Sequence, residues 1–279
     1  MKCRLCHEEK SLRRSHIIPE FFSDNSGLLY PTGRSRRLQP FTQPIDTRPG
    51  RRFVRKQVGY WEKRHGMVEY LLCGDCEQRL SKFEDYAKRF FYGDSNPIRL
   101  TLPLGRDPLF VADYKKTKLF QLSVLWRAAE AKGEFFSAVE LGEHHRERLR
   151  DMLLNEDPGK ETDYFCGLTR LVIESPAILQ FQKTLGMSIE TGFFAPVRHG
   201  HGTWESFTFV MGGILWIFCI SSAGAPDVMR NSYIKENGQF WLMPMKADEF
   251  LINFSQKAVK AGNVTEADAK ESMAAKSRR

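Results

Sequence analysis

Four of the six cysteines fall in two Cys-x-x-Cys pairs, Cys3 with Cys6 and Cys73 with Cys76. A turn of this spacing brings two thiolates to one edge of a tetrahedron. A second pair completes an all-thiolate site with no open position, the structural kind of zinc site. Sixty-six residues separate Cys6 from Cys73, so the metal is expected to staple together segments far apart in sequence. The opening MKCRLCHEEK contains no apolar export segment, which points to a reducing cytoplasm and to metal binding rather than disulfides. The other two cysteines, Cys166 and Cys219, lie in strand-like runs and read as small core residues.

Two strings accompany the cysteine pairs. Ser15-His16-Ile17-Ile18-Pro19 follows the first pair, and Leu71-Leu72-Cys73-Gly74-Asp75-Cys76-Glu77 contains the second. Together they resemble the zinc-stapled HNH endonucleases, also called ββα-metal or His-Me finger enzymes. The chain is similar, more closely, to a poorly characterised group of bacterial HNH-like proteins, through SHIIPEFF, LLCGDCEQRLSKFEDY and LSVLWRAAEA. The HNH part covers about a third of the chain, and the likeness to that group extends to about Leu154.

The resemblance implies a metal-dependent nuclease that hydrolyses phosphodiester bonds in nucleic acid, with DNA the favoured substrate and bacterial defence the setting. It places the general base on His16, an imidazole being the side chain suited to accept a proton from water. It places a metal ligand on Glu77, a carboxylate suited to Mg²⁺ or Mn²⁺. Ser15 stands where the family commonly has a second ligand, Asp; either that ligand comes from elsewhere, with Glu84 further along the same helix a candidate, or the metal-binding half has decayed. The family's central Asn has no counterpart between Trp61 and Tyr70, where His65 comes nearest. A non-catalytic nucleic-acid-binding module and a regulatory scaffold remain as alternatives.

The charge is concentrated early. Residues 1–56 carry thirteen Lys and Arg against five Asp and Glu, a net +8 that equals the formal charge of the whole chain. Within this part, Arg34, Arg36, Arg37, Arg48, Arg51, Arg52, Arg55 and Lys56 are interleaved with Phe41 and Phe53 and followed by Tyr60 and Trp61. Cations neutralise phosphates and aromatic faces stack on unpaired bases, so the basic loop 34–61 is the expected nucleic-acid contact. Other notable residues carry less. His144-His145 sits among charges, His199-Gly200-His201 reads as a Gly-rich loop, and the stripes holding Trp126 and Trp216 read as core. No phosphate-cradling glycine loop or GxSxG elbow occurs, which argues against an NTPase or serine hydrolase.

The elements that must position these residues divide into two parts. Residues 1–95 form the expected zinc-binding HNH-like module, and 96–279 a larger α+β domain of unassigned role, with the boundary near Gly93 to Pro97. Helical periodicity places Leu80, Phe83, Ala87 and Phe90 on one stripe of a helix over 77–91. The same pattern predicts core-facing helices over Tyr114–Lys132 and Glu143–Leu154. Strands are expected around 164–174, 191–197 and 207–220, followed by a hairpin in which Asn237-Gly238 joins 233–235 to 240–243. A last helix near 247–259 and a frayed tail close the chain. The apolar run 207–220 is shorter than the roughly 18 residues a membrane helix needs, so no membrane association is expected. The C-terminal part is the natural place for oligomerisation or for a regulatory partner.

Overall fold

The computed structural model describes residues 1–22, 28–29, 68–92, 109–172, 176, 193–201, 204–221 and 229–246. The basic loop 34–61 with Arg34 to Lys56, His65, the 93–97 boundary and the last helix all lie outside the described residues.

The architecture is α+β, and its first part is assembled around a two-stranded antiparallel sheet. Strand β1 (Leu12–His16) pairs with β3 (Val68–Cys73), and helix α1 (Gly74–Tyr92) begins at the residue after β3 ends. A two-residue strand β2 (Leu28–Leu29) lies between them in sequence but joins another sheet. α1 buries Leu80, Phe83, Ala87 and Phe91, and Phe90 is half-buried, so the sequence stripe holds with Phe91 as an added core residue.

The second part begins with β4 (Leu109–Val111), then α2 (Tyr114–Glu130) and α3 (Glu143–Leu154). Asp113 caps α2 by accepting the N–H of Lys116 at 2.9 Å, as a short acceptor at this position should. α2 was expected to bury one face, yet Thr117 through Ala128 are all buried. The helix is enclosed by the rest of the fold, and its polar residues are carried inside with it.

The large sheet takes β5 (Cys166–Val172), β6 (Phe193–His201), β7 (Trp204–Met211), β8 (Ile214–Ser221) and β10 (Met243–Lys246). Its order is β10-β5-β8-β7-β6-β2, antiparallel through the middle and parallel at both outer pairs. The expected single strand over 207–220 is instead a hairpin. Gly212 and Gly213 have φ of 59° and 73°, the left-handed values that both central residues of a tight hairpin turn require and that glycine adopts freely. His199 to His201 belong to β6, where they pair with Ser206, Glu205 and Trp204, and are not a loop.

The Asn237-Gly238 turn forms, with Gly238 donating to the carbonyl of Lys235 at 2.8 Å. Its arms stay linked by the N–H of Lys235 to the Gln239 carbonyl at 2.9 Å and the N–H of Trp241 to the Asn231 carbonyl at 2.8 Å, but each arm also pairs elsewhere. Strand β9 (Gln239–Trp241) pairs with β4, while Tyr233 bridges to Gly167. Gly238 has φ of 82°, and a Cβ there would come within 2.1 Å of the Ala112 carbonyl oxygen, so no other residue fits.

The core crosses the 95/96 position without a break. Trp216 on β8 meets Phe22 at 5.8 Å, Phe91 at 5.3 Å and Phe120 at 6.0 Å between ring centroids. Such aromatic contacts supply large buried area with defined geometry. Trp126 and Trp216, together with Cys166 and Cys219, are core residues as the sequence suggested. Burial pushes the Cys166 thiol well up and that of Cys219 to about 12, in keeping with their place in the core. Among the described residues, no helix is long and apolar enough to cross a membrane.

Candidate metal centre

The first cysteine pair sits at the tip of a very small hairpin. Lys2 bridges to Glu9, and the N–H groups of Cys3 and His7 bond to the carbonyls of Glu8 and Cys3 at 2.9 and 3.0 Å. His7 closes the turn with φ of 62°. The N–H of Arg4 reaches the carbonyl of Leu71 at 3.1 Å, which lays this hairpin against β3. The second pair spans the junction where β3 becomes α1, with Cys76 in the first helical turn. There the unpaired N–H groups and the helix dipole favour negative charge.

The four ligand atoms of Cys3, Cys6, Cys73 and Cys76 all lie within 4.8 Å of one another. Cys6 and Cys73 are 3.9 Å apart at sulfur, close to the edge of about 3.8 Å that follows from tetrahedral zinc–sulfur bonds of about 2.3 Å. The cluster could therefore hold a metal such as zinc. Cys3 also accepts the N–H of Cys73 at 3.3 Å. Burial raises the Cys3 thiol, but N–H donors from Cys6, Cys73 and Leu5 outweigh it and the net shift is downward. Burial and then the adjoining sulfurs push Cys76 strongly upward. Four crowded thiols cannot all ionise by themselves, and a divalent cation removes that conflict.

Around this cluster the strands are locked in register by specific polar contacts. The ladder slips between Leu12 and Arg14, and in this bulge the N–H of Leu72 is taken by the hydroxyl of Ser15 at 3.1 Å. Ser15 is fully buried, so its short side chain serves the backbone. On β3, the Glu69 carboxylate accepts the N–H groups of Lys132 and Gly133 at 2.8 and 2.9 Å. That contact ties the sheet to the segment after α2.

His16 ends β1 and is half-buried. Its carbonyl accepts Nη1 of Arg127 at 2.6 Å. Among the described residues no hydrogen bond or ion pair reaches the His16 ring. Glu77 lies in the first turn of α1, beside a groove that it lines with Arg13, Asp75 and Gln78. Its Oε1 is buried and has no hydrogen-bond partner. Glu84 is engaged elsewhere, since its Oε1 meets Nη2 of Arg127 at 2.6 Å. Sequence reasoning missed Arg127 and Glu69. The signal for Arg127 was its position as the sole charge between Leu119 and Ala129. His145 is bonded through Nδ1 to the Tyr164 hydroxyl at 2.8 Å, which gives it a packing role.

No known protein family, curated protein or solved structure matches this chain.

Proposed function

We propose that the N-terminal part is an HNH-type nuclease module, stapled by zinc on Cys3, Cys6, Cys73 and Cys76, which hydrolyses phosphodiester bonds in nucleic acid, with DNA the favoured substrate. The observation that carries this reading is an order of parts: a strand ending in His16, an antiparallel partner strand ending in Cys73, and a helix that starts at once and bears Glu77 in its first turn. His16 would accept the proton of the attacking water. Glu77, with a buried oxygen lacking any partner, fits a hard divalent ion, Mg²⁺ or Mn²⁺, which when bound would stabilise the leaving oxygen. The basic loop 34–61 would hold the phosphate backbone.

A second reading has its own support. Ser15 spends its hydroxyl on the bulge and Glu84 pairs with Arg127, so two positions considered for a second ligand are already engaged. That favours a zinc-stabilised module that binds nucleic acid without cutting it. Supercoiled plasmid separates the two. The nuclease reading expects nicking that needs Mg²⁺ or Mn²⁺ and disappears in His16→Ala; salt-sensitive binding with no nicking supports the second reading, and undiminished nicking by His16→Ala contradicts the mechanism.

A further inference from the structure

Beside the four-cysteine cluster, cations and one aromatic ring gather around a single groove. Its volume is about 370 Å³, and Lys2, Arg4, His7, Leu12, Tyr70 and Lys132 line it. Tyr70 is 62% exposed, although it sits on a strand between partly buried and buried neighbours. Arg14 is its direct partner across the β1/β3 ladder, and residues so paired point to the same side of a sheet. The cationic strip therefore continues from the groove past the ring and onto β1.

Charge pairing on this face is sparse, as it also is around exposed Arg13, Lys88, Arg89, Lys115 and Lys160 among the described residues. Elsewhere on the surface Lys10, Arg79, Lys82, Arg148 and Arg150 each lie within reach of a carboxylate. Among the described residues Lys2, Arg14 and Lys132 have no such partner, and Arg4 has only Glu130 at 3.8 Å. Several cations beside an exposed phenol ring, with the neighbouring Glu69 carboxylate already spent on the N–H groups of Lys132 and Gly133, match the chemistry that holds unpaired nucleic acid. Cations there neutralise phosphates and the ring stacks on a base. A duplex keeps its base faces stacked inside and offers none to Tyr70.

We propose that this face binds a single-stranded stretch of nucleic acid, with a base on Tyr70 and the backbone along Lys2, Arg14 and Lys132. The inference rests on the polynucleotide part of the reading above and adds the strand form and the residues. The test is fluorescence anisotropy of a short labelled oligothymidylate and of a matched duplex, over a range of salt and without Mg²⁺ or Mn²⁺, so that binding is read apart from cleavage. Tyr70→Ala is expected to weaken oligothymidylate binding about 5- to 150-fold, the equivalent of one stacked base, while Tyr70→Phe retains it. Replacing Lys2 and Lys132 together by Gln should flatten the slope of log affinity against log salt by about 1.4, whereas Lys160→Gln, on a distant loop, leaves it unchanged. Equal affinity for duplex and single strand, or unchanged binding by Tyr70→Ala, overturns the proposal. Nicking combined with Tyr70-independent binding removes this face and leaves the nuclease reading. Tyr70-dependent binding without nicking removes the nuclease and leaves this face.

Discussion

Arg127 donates from Nη1 to the main-chain carbonyl of His16 at 2.6 Å, so a helix more than a hundred residues downstream fixes the end of the strand that carries the proposed base. The same guanidinium pairs with Glu84 on α1 and bonds back to the Ser123 carbonyl of its own helix. It is 1% exposed. One planar fork thus joins β1, α1 and α2, a geometry that an ammonium cannot reproduce.

Breaking this node should be costly, because Arg127 is buried and its loss leaves the His16 carbonyl and the partly exposed Glu84 carboxylate without their donor. Arg127→Met is expected to lose about 3 kcal/mol or more of unfolding free energy in urea, and Arg127→Lys should not restore it. A loss below about 1 kcal/mol, the value typical of exposed pairs, would show that the node does not hold the strand.

Lys118 supplies a pH signature. Burial lowers its ammonium to about 8 in the folded chain from an ordinary 10.5, with the Glu161 carbonyl at 3.3 Å as its hydrogen-bond partner. The unfolded chain therefore holds the extra proton between these values, and stability should rise with pH across that window and fall as pH drops through about 8. Lys118→Met should be more stable than the parent at pH 7, by on the order of 3 kcal/mol, with the gain shrinking toward pH 10.5. An advantage independent of pH would contradict this origin.

Gln121 is fully buried in α2, and neither end of its amide has a partner. An orphaned buried polar group costs about 1–3 kcal/mol, so Gln121→Leu, close in volume, should raise the melting temperature. A fall would reveal that the amide is satisfied by an ordered water, which buried polar groups often recruit.

The parts of this fold that were legible in the sequence were those with a local signature. The Cys-x-x-Cys spacing announced the cluster, the 3.6-residue stripes announced α1 and α3, and Asn237-Gly238 announced a turn. Features set by distant partners were not legible. The hairpin at Gly212-Gly213 was hidden because its flanking strands are both buried and read as one apolar run. The enclosure of α2 depends on elements on several sides, so its stripe of leucines suggested only one covered face. Ser15 looked like a lost metal ligand until the bulge supplied its backbone partner, and Glu84 looked like an available ligand until Arg127 appeared beside it.

The hairpin bearing Cys3 and Cys6 is tied to the rest of the fold by Arg4 to Leu71, Lys10 to Asp75 and Arg150 to the Leu5 carbonyl, and a metal on the four sulfurs of the cluster would add the strongest link. Structural zinc in small domains contributes about 10–16 kcal/mol, as much as the whole net stability of a typical fold. The most direct test is the metal content of protein purified without added metal, joined to the optical spectrum after replacement by cobalt. The account predicts one zinc per chain, an intense visible spectrum characteristic of tetrahedral thiolate cobalt, and loss of both in Cys73→Ser. Folded protein free of metal, with all four thiols of the cluster open to titration, would contradict it.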